Sequence, residues 1–279
     1  MKIQHGFWIL LGLLAVAPAS AQVTEGADGA AVFPQAGRQM ANTAFAVGEK
    51  LTFEIAYGLI NAGTAKMVVA DTQWVAGRPC LHVMTTAKSN AFVSAFFTVR
   101  DTVETFMDVD GLYPHYYDKR INEGGYHASR SVRYLQDENR VIYTKSRLRK
   151  DKVRTKIDTA QVPPFSQDIL SAFYFVRTLP LKVGQAVEVP VYGEGKFYPL
   201  QVLVHKRETI KVPAGRFKCL LIEPVLQSEG IFKQDGRLQI WVTDDARRLP
   251  VLMKSKVAIG SIDCKLTKAK FSKTEREED

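Results

Sequence analysis

Three cysteines in 279 residues are too few for a disulfide-built scaffold. Histidine is scarce as well. None of His82, His115, His127 and His205 stands in a pair at metal-ligand spacing. No HExxH, Gly-x-Ser-x-Gly elbow, phosphate loop or dinucleotide fingerprint occurs, so the common signatures of metal, serine and nucleotide enzymes are missing. No apolar run reaches the roughly 20 residues that cross a bilayer as a helix. Acids are outnumbered, 29 against 38 basic residues, which gives +9 and a pI near 9.4. That balance favours anionic partners without naming one.

What is present begins with an address. Lys2 precedes an apolar run from Phe7 to Ala17, and Ala19-Ser20-Ala21 follows as a small-x-small cleavage site. This pattern predicts a secretory signal peptide over residues 1–21, cut after Ala21, and a periplasmic mature protein. Residues 22–46 are rich in Ala, Gly, Thr and Gln and predict a mobile extension, and 272–279 predict a charged, solvated tail.

From Leu51 onward the apolar period is two. Leu51-Thr-Phe53-Glu-Ile55-Ala-Tyr57, Leu238-Gln-Ile240-Trp-Val242 and Ile262-Asp-Cys264-Lys-Leu266 alternate, placing one face on a core and one toward water. Turn residues at Gly58, Gly77, Gly111, Gly124-Gly125 and Gly193-Glu-Gly195 divide the runs, as in a sandwich, a barrel or a half-open barrel. The chain also resembles itself. Val47-Gly48-Glu-Lys-Leu51 recurs as Val183-Gly184-Gln-Ala-Val187, and Ala76-Gly77-Arg78 as Ala214-Gly215-Arg216, each of the latter followed by a cysteine (Cys80, Cys219). Leu112-Tyr-Pro114 has its counterpart in Arg248-Leu-Pro250. These landmarks, in one order, predict two copies of a six-stranded unit, within halves of about 47–160 and 181–271, sharing one core. One helix is expected over 166–178: Pro163-Pro164 stops a strand, Ser166 can cap, Asp168 suits the helix start, and Ile169, Leu170, Phe173, Tyr174 and Val176 form a stripe. It can plug the core between the halves or act as a lid over an apolar cavity. A shorter helical piece fits Asn90–Phe97.

Chemistry is sparse. Cys80, His82 and Met84 share one strand face, a pattern of sheet packing or of a nucleophile pair. Asp244-Asp245-Ala-Arg247-Arg248 reads as a salt-bridged turn or as paired acids for proton transfer. The three cysteines allow at most one disulfide, with Cys264 buried on the last strand. No metal or cofactor is called for. The largest charge anomaly is Lys145, Arg147, Arg149, Lys150, Lys152, Arg154 and Lys156: seven basic residues and one acid in twelve positions. Run up one strand and down the next, they make a basic hairpin face. It is either a dock for lipid phosphate, lipopolysaccharide or a membrane surface, or a solvated edge that discourages sheet pairing. Nucleic acid is not expected, because the stacking aromatics of a strand-binding groove are absent.

Phe45-Ala-Val-Gly48-Glu-Lys-Leu-Thr-Phe53, Phe97-Thr-Val-Arg100-Asp101, Gln167-Asp-Ile-Leu-Ser-Ala-Phe173-Tyr174, Ile240-Trp241-Val-Thr-Asp244-Asp245 and Arg248-Leu-Pro250 resemble the bacterial family called domain of unknown function 3108. The resemblance covers about residues 45–270. It implies an exported envelope protein and carries no activity or catalytic residues. More loosely, the pattern is similar to LolA/LolB-like lipoprotein carriers and duplicated β-spiral proteins, an analogy of fold. The fold expected is therefore all-β: a large curved antiparallel sheet or open, β-spiral-like barrel of about 12–14 strands, with one linking helix. The function expected is non-enzymatic binding of a lipid, a lipidated segment or another amphipathic envelope component, with Phe173, Tyr174 and Trp241 as apolar contacts. Two alternatives stay open, an envelope scaffold or interaction protein with a filled core, and an unrecognised hydrolase of envelope polymers.

Overall fold

A computed structural model describes residues 37–226, 237–256 and 260–272. The expected signal peptide, the extension up to residue 36 and the tail beyond Ser272 lie outside the described residues.

Alternation builds fourteen strands. The first half holds β1 (Lys50–Tyr57), β2 (Ile60–Val75), β3 (Arg78–Ser89), β4 (Arg100–Asp108), β5 (Pro114–Glu123), β6 (Tyr126–Leu135), β7 (Arg140–Arg149) and β8 (Lys152–Gln161). The second holds β9 (Ala186–Gly193), β10 (Lys196–Val212), β11 (Gly215–Leu226), β12 (Leu238–Thr243), β13 (Pro250–Lys256) and β14 (Ser261–Lys270). They form one antiparallel sheet in the order β8-β7-β6-β5-β4-β3-β2-β1-β14-β13-β12-β11-β10-β9. The first strand pairs with the last at the centre of the sheet, so both outer edges come from the middle of the chain. Leu51, Phe53 and Ile55 of β1 and Ile262, Cys264 and Leu266 of β14 turn inward, and the buried residues of both halves make one continuous core.

The sheet curls without closing its ladder. Tyr134 Oη on β6 donates to Tyr192 O on β9 at 3.3 Å, and the Tyr143 and Tyr192 rings meet edge to face at 6.3 Å. Side chains of β6 and β7 thus reach the edge strand β9 across the interior. Helix α2 (Ile169–Arg177) joins the two edges and packs against β4 and β9. It is shorter than the expected 166–178, and its cap is Asp168, not Ser166. Asp168 Oδ1 accepts from the backbone of Leu170 and Ser171 at 2.8 Å, while the Ser171 hydroxyl accepts from Asp168 N. Ser166 Oγ instead donates back to Pro163 O. The short helix α1 (Ala91–Ser94) falls inside the expected piece and is capped by Asn90.

The repeat is visible in the backbone. Gly48 N donates to Val69 O and Gly184 N to Val204 O, both at 2.8 Å, and the register slips just after Val69 and just after Val204. Asp108 and Asp245 each fold the next turn by accepting from backbone two and three residues on. Leu112 and Arg248 then take left-handed φ values of 51° and 43°. Gly48 and Gly184, and Leu112 and Arg248, occupy the positions matched in the sequence.

The expectation for the N-terminal extension is overturned. The extension expected to be mobile up to residue 46 is packed along its described part. The Arg38 guanidinium lies 4.4 Å from the Phe175 ring centroid, and Met40 N donates to Asp110 O. Ala44 and Phe45 are buried. The polar composition hid a plug: Phe45 meets Tyr174 edge to face at 4.9 Å and covers the helix.

Candidate functional site

The three residues expected to contact an apolar ligand are not brought together. Tyr174 is fully buried beneath Phe45, and Phe173 is half-buried beside it. Alternation along β12 turns Leu238, Ile240 and Val242 to one face of the sheet and Trp241 to the other, where it too is buried. There its Nε1 donates to Glu208 Oε1 at 2.7 Å. The space around α2 is taken by the chain itself. Arg177, buried at the helix end, donates to both Glu49 carboxylate oxygens at 2.7 and 2.8 Å and to Ala44 O at 2.9 Å.

The acid-and-arginine stretch is a turn. Asp245 accepts from Thr243 Oγ1 and from the backbone of Arg247 and Arg248, and Asp244 holds Arg207. Cys80, Cys219 and Cys264 are buried free thiols, each pushed up to about 12 by burial. Among the described residues no group of three or more metal-ligating side chains is placed to hold an ion.

The basic hairpin does assemble. Lys150 and Asp151, both at left-handed φ, make the two-residue turn between β7 and β8. Register then sets Lys145 opposite Lys156, Arg147 opposite Arg154 and Arg149 opposite Lys152, so six cations share one face while Lys150 sits at the tip. The other face carries Leu148, Val153 and Ile157, all exposed. From Arg147 to Ile157 every residue is exposed, and β8 is an unpaired sheet edge. Like charges directly opposite one another destabilise a strand pair, and here three such pairs follow in succession. Lys156 is partly compensated by Asp158 at 2.8 Å, and Arg147 lies over the Tyr126 ring at 4.6 Å.

Beneath the root of this hairpin lies a polar network that the sequence reading passed over. Lys119 on β5 and Arg130 on β6 point inward and pair with Glu194, which reaches in from the β9–β10 turn at a left-handed φ of 50°. Nearby, Asp101 and Glu123 share a hydrogen bond and are both buried. Burial, together with the Asp101 charge, pushes Glu123 up to about 8. Burial likewise raises Asp101 and lowers Lys119. Asp101 also accepts from Asn122 N at 2.8 Å. A signal was available: Asp101, Lys119, Glu123 and Arg130 occupy inward positions of strands whose other inward residues are mainly apolar.

Comparison with known proteins agrees with this architecture. The sequence model of the family described as "Protein of unknown function (DUF3108)" matches residues 52–267. No curated protein matches the chain. Among solved structures, a β-barrel-like protein of domain of unknown function DUF1849 from Brucella abortus is similar over 82% of this chain and 100% of its own, with 9% identity and a TM-score of 0.53. That likeness shows the fold alone. A protein of YmcC-like fold from Bacteroides fragilis aligns over 84% of this chain and 99% of its own at 12% identity, but its TM-score of 0.29 is too low to show a shared fold.

Proposed function

The chain belongs to the DUF3108 family of proteins of unknown function, and from that premise we propose that it is an exported envelope protein that acts by binding. Its binding element is the Lys145–Lys156 hairpin, and its partner is an anionic envelope component, a phosphate-bearing lipid surface or lipopolysaccharide. The observation that carries this reading is the register of β7 against β8, which stacks three like-charge pairs on one exposed face. Such a face costs the hairpin stability in isolation and is relieved when an anion bridges the cations. The leader-like N-terminus supports a periplasmic location.

Of the alternatives, the interaction protein with a filled core fits better than an internal acyl site, because Phe45, Tyr174, Arg177 and Glu49 occupy the space around the helix. The hydrolase reading finds less support. Asp101 and Glu123 share a hydrogen bond, yet both are buried, held by each other and, at Asp101, by Asn122 N, with the Lys119 charge nearby. That arrangement stores a proton more readily than it presents one to a polymer.

The test is co-sedimentation with lipopolysaccharide and with phosphatidylglycerol vesicles at low and high salt. Each cation near an anionic surface contributes about 1 kcal/mol, and the Debye length falls from about 10 Å at 0.1 M to about 3 Å at 1 M. The parent is expected to bind at low salt. The variant R147E/R149E/K152E/R154E is expected to fold normally and to lose binding at least about a hundredfold. Equal binding by parent and variant rules the hairpin out.

A further inference from the structure

The connections β1–β2, β3–β4, β5–β6 and β7–β8 each follow an odd-numbered strand of one meander, so all four lie at the same end of the sheet. That end carries a concentration of exposed apolar side chains. Leu59, at 105% relative exposure, and Ile60 stand on the β1–β2 turn. Phe92 and Phe96, 66% and 83% exposed, stand on or just after α1, a helix with no buried residue. From Ala91 to Phe97 there is no charged residue. The tips are held in place relative to one another: Asn90 Nδ2 donates to Asn61 O at 2.7 Å, and the Phe97 ring sits where any side chain on Gly124 would be. Lys88 and Arg100, exposed and paired across β3 and β4, lie directly behind α1. Two strands further along is the hairpin, with Leu148 and Val153 exposed near its tip and its cations on the opposite face.

We infer that this end of the barrel docks on an anionic bilayer, with Leu59, Ile60, Phe92 and Phe96 entering the acyl boundary while the hairpin cations and Lys88 and Arg100 meet lipid phosphates. The inference rests on the reading of the hairpin as an anion dock and names its partner as the bilayer itself. Three observations favour a bilayer over a protein. The apolar residues stand on separate protruding turns, whereas a protein interface needs a contiguous packed centre. The exposed charge beside them is basic, from Lys88 and Arg100 to the hairpin cations, and the acids among those cations are Asp151 of the turn and Asp158, 2.8 Å from Lys156. Aromatic and leucine tips beside lysine and arginine match the interfacial region of a membrane, where an apolar end sits next to anionic headgroups.

The experiment uses the purified protein, vesicles of equal parts phosphatidylcholine and phosphatidylglycerol, and soluble inorganic polyphosphate. In the variant L59S/F92S/F96S all three changed side chains are exposed, so an unchanged melting temperature is the check on folding. It is expected to lose vesicle affinity about tenfold or more and to keep polyphosphate binding intact. The parent is expected to keep part of its vesicle binding at high salt and none of its polyphosphate binding, because apolar insertion is not screened. In F96W, bromine on the acyl chains is expected to quench the new tryptophan. The parent's Trp74, on the opposite end near the β2–β3 turn, and Trp241, buried against Glu208, are expected to stay unquenched. If the tip variant binds vesicles as the parent does, or F96W is not quenched, the bilayer inference is overturned and the hairpin reading survives. If the charge-reversed hairpin still binds both probes, the hairpin reading itself fails. A parent dimer that the tip variant dissolves, without quenching, assigns the tips to a second copy of the chain and overturns the inference.

Discussion

The two six-stranded units share matched features of turn, bulge and backbone hydrogen bonding at Gly48/Gly184, Val69/Val204 and Leu112/Arg248, yet they differ on the concave face. In the second unit, β12 and β14 present Leu238, Ile240, Val242, Ile262, Cys264 and Leu266 inward. In the first, β4, β5 and β6 present Asp101, Lys119, Glu123 and Arg130 among their inward residues. The flanks differ as well. The last strand of the second unit, β14, is covered by β1, whereas the last strand of the first, β6, is followed by the unduplicated hairpin β7–β8. Duplication therefore supplied a scaffold, and the departures from it gather in one place: the hairpin and the charges at its root.

The comparison can be broken most severely at Glu49, whose counterpart in the second unit is Gln185. Making the first unit like the second with Glu49→Gln leaves the buried Arg177 without its countercharge. The expected loss is about 3–5 kcal/mol in urea denaturation. A loss under about 1 kcal/mol means that the ion pair does not hold the helix to the first unit.

The polar concave face predicts a pH dependence that the apolar one does not. Glu123 sits near 8 when folded against 4.5 as its ordinary value. The folded state therefore binds the proton more tightly. Its contribution is fully present below about pH 4.5 and is lost as pH rises through about 8, on the order of a few kcal/mol. Glu123→Gln is expected to flatten that part of the stability-against-pH curve. If the slope persists unchanged, another group is responsible.

The matched glycines sharpen the comparison. Gly48 and Gly184 hold φ at 96° and 81°, where a side chain is strained. A Cβ on Gly48 would also meet Ser272 Cβ at 3.2 Å, while on Gly184 nothing lies within 4 Å. Both alanine variants are expected to lose about 1–2 kcal/mol, with Gly48→Ala the worse of the two. Equal melting temperatures would remove the role assigned to Ser272. The smallest effect belongs to the hairpin. Replacing Arg147 and Arg154 together with serine removes one opposed cation pair and is expected to raise stability by about 0.2–1 kcal/mol. A fall in stability would show that the pair is already satisfied within the fold.

Much of this was legible in local pattern. Period-two alternation placed β1, β12 and β14, glycine turns marked where others end, and the Gly48/Gly184 and Cys80/Cys219 correspondences located the repeat, because bulges and left-handed turns restrict which residues they accept. The hairpin was legible too, since alternation alone puts Lys145, Arg147 and Arg149 on one face. The buried network was not recognised, although charged residues at inward positions marked it. The packing of residues 37–46 was hidden because a composition of small and polar residues says nothing about what Phe45 will cover.

By itself, then, the sequence determined what depends on neighbours along the chain: strand periodicity, turn chemistry, the presence of the linking helix and the face on which the hairpin cations fall. Only the tertiary structure decided what depends on residues far apart. It buried Trp241 against Glu208 and Tyr174 under Phe45, joined Glu49 to Arg177, paired β1 with β14, and gathered Leu59, Phe92, Phe96 and the basic hairpin at one end. Alternation tells which residues share a face. It does not tell how a fourteen-stranded sheet curls, and that curl decides which faces meet one another and which meet solvent.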